Sequence, residues 1–547
     1  MAGADDAGAP AADAGMPSGR DGATVRPSHV EAGPVVPAGD PGQVDVTFAV
    51  RTDQNVHAIS PFVYGVNDES VAARAHAPIV RSGGNRATAF NWENNASNAG
   101  SDYQFENDDL FCHGGGCVPG ADAPGGYLRG LVERASAAGA AVLVTVPIVD
   151  YVSADTSPRG DVRGSGANYL QTRFKQNRPA KGSAFASTPD VTDGFVYQDE
   201  MVHWLLQAEP NATLLFQLDN EPDLWSATHA EVHPNPVTYA ELSRRSIDYA
   251  AAVKAVSPGA PVWGPANYGW QGFVDLQGAS DAKANGDFLV YWLEQMKAAE
   301  SVAGKRLIDG LDLHWYPEAV GDGKRIIVSD ATPGLVAARE QAPRSLWDAT
   351  YVENSWIAQV STKGAIALLP LVQTKITQHY PGTKLSFSEW NYGGGGDISG
   401  AIAAADVLGI FGREGVDMAM MWPQNSDESY ANAAFAAFRN YDGRGAAFGD
   451  TSVAATTTDV PGSSVYAAID STDPSRVVVI AINKGNTDRM AGVRISHSTV
   501  YASASTYAIT AAGGAKPVPG RAIQPVATNA FRYMMPAQSI TVIVPSP

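Results

Sequence analysis

Basic clusters, long hydrophobic runs and cysteines are scarce in this sequence, and each scarcity excludes a class of protein. The formal net charge is −19, from 38 Lys and Arg against 57 Asp and Glu, and the basic residues form no cluster. This balance argues against nucleic acid or an anionic membrane surface as a partner and favours a neutral substrate. No run reaches the ~18 consecutive apolar residues that a membrane-spanning helix requires, so we predict no membrane partner.

Two cysteines, Cys112 and Cys117, are the only ones in the chain, and they lie together in the segment CHGGGC. The glycines between them let the chain double back, which predicts a disulfide and with it an oxidising compartment. Two soft ligands are too few for a metal site. The first six residues lack the basic and apolar regions of a signal peptide. From the predicted disulfide we expect a secreted, extracellular protein.

Bulky apolar side chains are nearly absent from residues 1–43, which consist mainly of Ala, Gly, Pro and Asp. Such a segment cannot bury enough surface to offset the entropy lost on ordering, so we predict a disordered linker. Residues 44–58 begin with the alternating segment VDVTFAV, which predicts a half-buried strand.

Between residues 59 and 428, eight compact apolar runs alternate with amphipathic helical stretches. This is the pattern of βα units, and eight of them predict an α/β fold with a (β/α)8 TIM barrel. The helix that opens at Thr238, for example, has the spacing of a capping box and ends before Pro258. The eight runs are residues 62–67, 79–85, 141–148, 214–221, 262–267, 308–316, 385–390 and 418–422.

The helical period fades after the last run, and β-branched segments separated by turn residues follow. We therefore predict that residues 429–547 form a second, smaller β-sandwich domain. The strand in residues 44–58 has no partner in a parallel barrel. We expect it to pair into the sandwich, which makes that domain discontinuous.

Two short motifs place a glutamate at the end of a predicted strand. They are Asn220-Glu221-Pro222 after the fourth run and Ser388-Glu389-Trp390 in the seventh. Strand ends of a parallel barrel open into one shared mouth, where two carboxylates from distant strands can meet. Glycoside hydrolysis requires such a pair, and we assign Glu221 as acid/base and Glu389 as nucleophile. A retaining enzyme separates the two groups by about 5–5.5 Å and an inverting one by about 6.5–9.5 Å.

Four further polar residues near these strand ends are candidates for substrate binding or for orienting the pair. Asn220 is placed to hydrogen-bond a sugar hydroxyl near the reacting carbon. His314 or Tyr316, at the end of the sixth strand, is placed to orient Glu389. Arg81 is a candidate to keep Glu389 ionised, although an ordinary salt bridge is an equal interpretation.

Aromatic residues near the strand ends are candidates to stack on glucose rings, and several in a row favour internal attack on a long chain. Packing in the core is the alternative for each of them. Trp225 and Trp390 favour the cleft because each lies within four residues of a candidate catalytic glutamate. The candidates are Tyr64, Trp92, Tyr103, Trp225, Trp315, Trp390, Tyr392 and Trp422.

Metal chemistry has weaker support in the sequence. His229 and His233 are four residues apart, but Glu231 is one place too late for a zinc-protease motif, so we predict no zinc site. An acidic loop offers oxygen ligands for a structural calcium ion, with a solvated loop as the simpler interpretation. Its members are Asp102, Glu106, Asp108 and Asp109. The predicted chemistry requires no cofactor.

The segment from Ile79 to Gly100, which contains IVRSGGNR and NWENNASNAG, resembles glycoside hydrolase family 44. The resemblance continues through YVSAD, TPD, LDNEPDLW, DLHWYP and SEWNY, and it extends from Val44 to the end of the chain. It implies a retaining endo-β-1,4-glucanase, often active on xyloglucan, with a barrel beside a β-sandwich. It also implies that Glu221 is the acid/base and Glu389 the nucleophile.

The expected partner is therefore a β-glucan polysaccharide such as xyloglucan or carboxymethylcellulose, bound by a monomer. Two alternatives remain open. A retaining endo-glycosidase of other specificity, a xylanase or mannanase, uses the same carboxylate pair. A catalytically silent glycan-binding protein has the same cleft without the reaction.

Overall fold

The computed structural model describes residues 34–67, 75–117 and 123–547. Eight parallel strands close into a barrel in chain order, and a separate domain of antiparallel character lies beside it, which confirms the predicted fold class. Each of the eight apolar runs overlaps one barrel strand, and no strand extends more than one residue beyond its run. From first to eighth, the strands are Gly65–Val66, Ile79–Ser82, Ala141–Val146, Leu214–Leu218, Val262–Tyr268, Gly310–Trp315, Lys384–Trp390 and Met418–Met421.

Long helices follow the second to eighth strands and cover the outside of the barrel. Their starts agree with local capping: the Thr238 hydroxyl accepts from the Glu241 N–H at 3.2 Å, and the Asp397 carboxylate accepts from the Ser399 N–H at 2.9 Å. The helices are Gly126–Ala137, Gln198–Ala208, Tyr239–Val256, Phe288–Ala303, Leu368–His379, Ile398–Arg413 and Ser429–Arg439.

The last of these helices corrects the predicted start of the sandwich at residue 429. Ala431, Phe435 and Phe438 are buried, and the helix packs against Ile398–Arg413, so it belongs to the barrel. Their spacing of three and four residues is helical, not the period of two that a strand requires. The C-terminal part of the sandwich begins only at Thr451.

Shorter helices and strands lie in the loops that connect the barrel strands and the long helices. The short α-helices are Asn85–Thr88, Tyr169–Thr172, Trp225–Thr228, Gly269–Val274, Ala282–Asn285 and Pro333–Gln341. Short 3-10 helices lie at Pro61–Tyr64, Gly100–Asp102, Leu110–Gly115, Val162–Ser165, Pro222–Leu224 and Ala342–Leu346, and a π-helical turn lies at Ile357–Ser361. The strands are Ser97–Asn98, Asn107–Asp108, Tyr151–Ser153, Phe174–Arg178, Phe195–Tyr197, Val320–Gly321 and Lys324–Arg325.

The second domain is a sandwich whose inner faces share one apolar core, formed by residues such as Phe48, Val479 and Val493. The N-terminal strand Val46–Arg51 pairs antiparallel with Thr451–Thr457 and parallel with Arg489–Ser496, so both ends of the chain build this domain. Its other strands are His57–Ala58, Ser463–Ile469, Val477–Asn483, Ser503–Thr510, Gly514–Pro519, Pro525–Ala527, Ala530–Met535 and Ser539–Ser546.

Residues 34–43 lie against the sandwich, so the prediction of disorder is wrong for this part of the linker. The Val36 N–H donates to the His497 carbonyl at 3.0 Å, and the Gly39 N–H donates to the Thr528 carbonyl at 2.7 Å. The sandwich supplies edge partners for the backbone, which a composition-based argument cannot anticipate. The rest of the predicted linker, residues 1–33, lies outside the described residues.

A buried ion pair joins the two domains. Lys484 from the sandwich lies 2.5 Å from Asp406 on the helix Ile398–Arg413, and the Tyr466 hydroxyl donates to the same carboxylate. A cavity of about 680 Å³ lies nearby, lined in part by Trp347 and Arg413. The carboxylate in its lining, Glu414, is paired with Arg413 at 2.7 Å. The described lining of this cavity therefore contains no pair of carboxyl groups for acid–base catalysis.

The barrel interior has an apolar lower layer and a polar upper layer. Ile79, Leu143, Leu215 and Met418 pack in the lower layer with Trp263, whose ring lies where a side chain at position 310 would project, so only glycine fits there. The upper layer faces the carboxyl ends of the strands, where active sites of this fold lie. Its buried polar members are Arg81, Thr145, Gln217, Asp312, Ser386 and Ser388.

The predicted disulfide between Cys112 and Cys117 is present. It closes a loop of only a few residues, so it fixes local geometry more than it stabilises the fold. Within the described ranges, none of the helices combines the length and the apolar character that crossing a bilayer demands.

Candidate active site

Glu221 leaves the fourth barrel strand in a left-handed backbone conformation, with φ of 45°. Such a conformation is uncommon for a residue other than glycine and persists only where neighbours hold it. Here the Glu221 N–H donates to the Ala266 carbonyl at 3.0 Å. The buried Asp219 accepts from the Thr88 hydroxyl at 2.7 Å and from the Ile148 N–H at 2.6 Å, which braces the same turn from below.

Glu389 lies near the end of the seventh strand and is held as an anion. Arg81 donates to its Oε1 at 2.6 Å, and the Tyr316 hydroxyl donates to its Oε2 at 2.7 Å. Burial raises the pKa of Glu389, but the charges of His314 and Arg81 and these hydrogen bonds outweigh it and hold the pKa below its usual range. Burial and the neighbouring carboxylates raise the pKa of Tyr316 well above its usual value, so this residue stays a donor.

Glu221 has the opposite electrostatic environment. Its burial, reinforced by the negative charge of Glu389, raises its pKa against the effect of His314, so this carboxyl retains a proton more readily than an exposed one. His314 Nδ1 lies 2.9 Å from Glu221 Oε1 and 3.5 Å from Glu389 Oε2. Burial lowers the pKa of His314, but the charge of Glu389 and the contact with Glu221 outweigh it and raise the pKa.

The two carboxylates are close together. One oxygen of each lies within 4.8 Å of the other and of a His314 ring nitrogen. Their surroundings push the two pKa values apart. In such a pair, the group with the raised pKa can act as the acid and the other group as the anion. The proton-rich partner is Glu221 and the anion is Glu389.

Asn220 is oriented by groups that can only donate. Its Oδ1 accepts from Arg81 Nη2 at 2.8 Å and from the Gly84 N–H at 3.1 Å. The side-chain amide therefore presents its NH2 group as the remaining donor on the cleft side. Arg81 also donates to Asn67 Oδ1 at 3.1 Å, so one buried guanidinium positions both Asn220 and Glu389.

Comparison with known proteins agrees with this geometry. The model of glycoside hydrolase family 44 matches residues 96–319. Endoglucanase A of Paenibacillus lautus is 40% identical over 513 residues, which cover 91% of this chain and 72% of that protein. The chain belongs to glycoside hydrolase family 44.

Solved structures of family 44 superimpose on nearly the whole chain. A Paenibacillus polymyxa xyloglucanase with xyloglucan is 38% identical with a TM-score of 0.88, covering 92% of this chain and 99% of that one. A Clostridium thermocellum endoglucanase is also 38% identical with a TM-score of 0.88, covering 92% of this chain and 100% of that one. The predicted resemblance is confirmed, and the protein is a glycoside hydrolase.

Six of the predicted sugar-binding aromatics are buried in the core of this family 44 chain, so their assignment to the cleft is wrong. They are Tyr64, Trp92, Trp225, Trp315, Trp390 and Tyr392, each at most 2% exposed. Trp92, for example, packs on Trp204 with ring centroids 5.7 Å apart. Trp225 lies beneath the Glu221 loop, where its indole N–H donates to Asp219 at 3.2 Å.

Alternation along the strands explains why Trp390 and Trp315 are not in the cleft. Successive side chains of a strand point to opposite faces except at a bulge, and the seventh strand has one between Phe387 and Glu389, so Ser388 and Glu389 both face the interior. Alternation then turns the next residue, Trp390, outward into the helical layer, as it turns Trp315 after His314. Trp390 follows Glu389 and packs on Phe411 of the helix Ile398–Arg413, with ring centroids 5.8 Å apart. Trp315 follows His314 and stacks on Phe273 at 6.2 Å. Tyr103 is 53% exposed.

Trp422 is the aromatic candidate that does line the cleft. Its ring occupies the space that a side chain at Gly84 would require, with a Cβ there only 2.7 Å from the ring.

The cleft has a volume of about 250 Å³. Its lining includes residues that sequence reasoning missed, namely Gly84, Asn85, Asp102, Tyr268, Ile327 and Gln424. Tyr268 ends the fifth strand, so the rule that found the two glutamates also identifies it.

The acidic loop does not gather its carboxylates into a calcium site. In the described part of the chain, the group of three or more His, Cys or acidic residues close enough to share an ion is Glu221, His314 and Glu389. Asp108 is instead paired with Arg86, and Glu106 accepts from the Gly160 N–H at 3.0 Å. His229 likewise contacts Glu231 at 2.9 Å rather than His233.

Arg81→Met should move the acidic limb of the pH dependence of kcat/KM to higher pH by about one unit or more. The guanidinium lowers the pKa of Glu389, so its removal raises that pKa. The variant therefore protonates its nucleophile, and loses activity, at a higher pH than the wild type. Arg86→Met removes an arginine of the same barrel mouth that pairs with Asp108 instead. An acidic limb that shifts equally in both variants, or in neither, contradicts the assignment.

Proposed function

We propose that this protein is a retaining endo-β-1,4-glucanase that hydrolyses internal bonds of xyloglucan, carboxymethylcellulose and related β-glucans by double displacement. The observation that carries the proposal is the approach of the Glu221 and Glu389 carboxylates within 4.8 Å. That distance suits direct attack by one carboxylate and is too short for a water molecule to stand between a basic carboxylate and the sugar, as inversion requires.

In the first step, the Glu389 carboxylate attacks the anomeric carbon while Glu221 gives its proton to the departing glycosidic oxygen. The C–O bond to the leaving chain breaks, and a glycosyl ester forms on Glu389. In the second step, Glu221 takes a proton from water as the water attacks the same carbon, and the ester bond to Glu389 breaks. Two inversions give net retention, and Glu221 recovers its proton.

The polar groups around the cleft suit a neutral sugar. Asn220 offers an amide donor next to Glu389, and Trp422 and Tyr268 offer ring faces for the apolar side of a pyranose. Relatives at 38–40% identity include an endoglucanase, a xyloglucanase and a protein named β-mannanase/endoglucanase A, of which this chain covers only 36%. Glucanase activity is common to the three names, which favours β-1,4-glucan over xylan or mannan as the backbone.

Product analysis of the wild-type enzyme tests this proposal. Xyloglucan and carboxymethylcellulose should lose viscosity well before many reducing ends appear, and NMR should show the β-anomer as the first product. Xylan and β-mannan serve as parallel substrates. Faster cleavage of either one contradicts the proposed specificity, an α-anomer as first product contradicts double displacement, and no cleavage of any substrate contradicts the function itself.

We also propose that the enzyme acts outside the cytoplasm as a monomer. The Cys112–Cys117 disulfide supports an oxidising compartment. A carboxylate pair supplied entirely by one chain needs no second subunit. Light scattering at micromolar concentration should give the mass of one chain, and a dimer mass would contradict the second part of the proposal.

A further inference from the structure

Ser388 is a buried hydroxyl inside the barrel, one residue before Glu389, and it contacts three polar side chains. Gln217 Nε2 lies 2.6 Å from its Oγ, Asp312 Oδ2 lies 2.7 Å from it, and His314 Nε2 lies 3.1 Å from it. A hydroxyl has one proton to donate and two lone pairs that accept. Which contact takes the proton decides the protonation of the histidine ring.

The direction of these hydrogen bonds is set at Arg81. A guanidinium can only donate, and Arg81 Nε lies 2.6 Å from Gln217 Oε1, so the Gln217 amide must turn its NH2 group towards Ser388 and Asp312. Gln217 is therefore a donor to Ser388. One of the two lone pairs of the hydroxyl is used.

Asp312 takes the proton of the hydroxyl. Its carboxylate already accepts from the Ser386 hydroxyl at 2.6 Å, from the Ser388 N–H at 3.0 Å and from Gln217, so donors surround both of its oxygens. It has no place for a proton of its own and acts as an acceptor only. Ser388 then has one lone pair left, and the group that faces it, His314 Nε2, must donate.

We propose that Ser388 and Asp312 are positioning residues that fix a proton on Nε2 of His314 and thereby keep the acid proton of Glu221 in place. With Nε2 protonated, Nδ1 lies 2.9 Å from Glu221 and shares one proton with it, either as a carboxylic acid beside a neutral ring or as a carboxylate beside a charged ring. One proton must then lie between Glu221 and Nδ1, because its loss would leave a carboxylate facing a lone pair. The inference rests on the proposed role of Glu221 as acid/base.

The charged and titratable groups that face His314 are few. Glu221 and Glu389 face Nδ1, Arg81 lies across Glu389, and Asp312 acts through Ser388. The two carboxylates favour retention of the shared proton, and Arg81 opposes it. If the Ser388 hydroxyl is removed, the neutral ring is free to place its proton on Nδ1 and donate to an ionised Glu221, so the proton-depleted pair becomes more stable.

Ser388→Ala tests the inference against Ser386→Ala. The first variant should move the basic limb of kcat/KM on a cello-oligosaccharide to lower pH by about one unit, the size of shift that one charge-assisted hydrogen bond produces. Ser386→Ala removes an equivalent bond to Asp312 but does not touch His314, so its basic limb should match the wild type. Equal limbs in Ser388→Ala and the wild type, or equal shifts in both variants, overturn the inference.

A direct measurement on the wild type covers the case in which Ser388→Ala does not fold. In protein labelled with 15N-histidine, the His314 signals are identified by their loss in His314→Gln. They should show Nε2 bonded to hydrogen throughout the active pH range, and a bare Nε2 there overturns the inference. Failure of the wild type to cleave any glycan, in contrast, contradicts the proposed function and not the hydrogen-bond directions.

Discussion

Glu389→Ala should lower kcat on xyloglucan by about 10⁴-fold or more, because the variant lacks the carboxylate that forms the covalent intermediate. The buried Arg81 loses its counter-ion, which lowers stability, but it keeps Gln217, Asn67 and Asn220 as acceptors, so we expect the variant to fold with a lower melting temperature. Reducing-end assays with circular dichroism as the folding check measure both quantities.

Azide gives this prediction a chemical signature. In Glu389→Ala, azide can enter the space of the missing carboxylate and attack an activated aryl cello-oligoside directly, so a single displacement gives the α-glycosyl azide. Glu318→Ala, which removes a carboxylate of the same barrel mouth that pairs with Arg325 at 2.8 Å, should retain activity within a few-fold and form no azide product. Full activity in Glu389→Ala would falsify the nucleophile assignment.

Glu221→Gln should lower kcat on xyloglucan by about 10²–10⁴-fold, the contribution expected of general acid–base catalysis. The loss should depend on the leaving group. Dinitrophenolate departs without a proton, so formation of the glycosyl ester from a dinitrophenyl cello-oligoside should proceed at a rate close to that of the wild type. The second step still lacks its base, and the intermediate on Glu389 should accumulate as a burst of released phenol.

Stopped-flow measurement of that burst separates the two steps. Azide, which needs no base, should speed the second step and give the β-glycosyl azide, opposite in configuration to the product of Glu389→Ala. A loss that is the same for phenyl and dinitrophenyl leaving groups would show that Glu221 does not act as the proton donor.

The barrel could be predicted from the sequence because each parallel strand is a short apolar run, and eight such runs alternate with segments of helical periodicity. The two glutamates were readable because they end such runs, and barrel topology brings strand ends together. The same reasoning placed Arg81, His314 and Tyr316 near them. The helix Ser429–Arg439 was missed although Ala431, Phe435 and Phe438 recur at helical spacing, because the β-branched pattern of the segments that follow was extended back over it.

Other features depend on tertiary structure and leave no local signal. Trp390 was assigned to the cleft because it lies next to Glu389 in the chain, and Trp315 because it lies at a strand end, whereas the strand geometry turns both rings outward. Ser388 and Asp312 are polar residues inside strands, a pattern that normally indicates a solvent-facing side. Only closure of the barrel shows that their side chains meet in its interior.

The position of the strand Val46–Arg51 in the sandwich has a consequence for the order of synthesis. Thr47 and Thr458, which share a hydrogen bond across this sheet, are 411 positions apart in the chain. A ribosome that adds roughly 5–20 residues per second exposes the strand roughly 20–80 seconds before its partner emerges. During that time its apolar edge has no native neighbour and is exposed to chaperones and to other nascent chains. The sandwich is therefore the last part to assemble, after every residue of the barrel has left the exit tunnel.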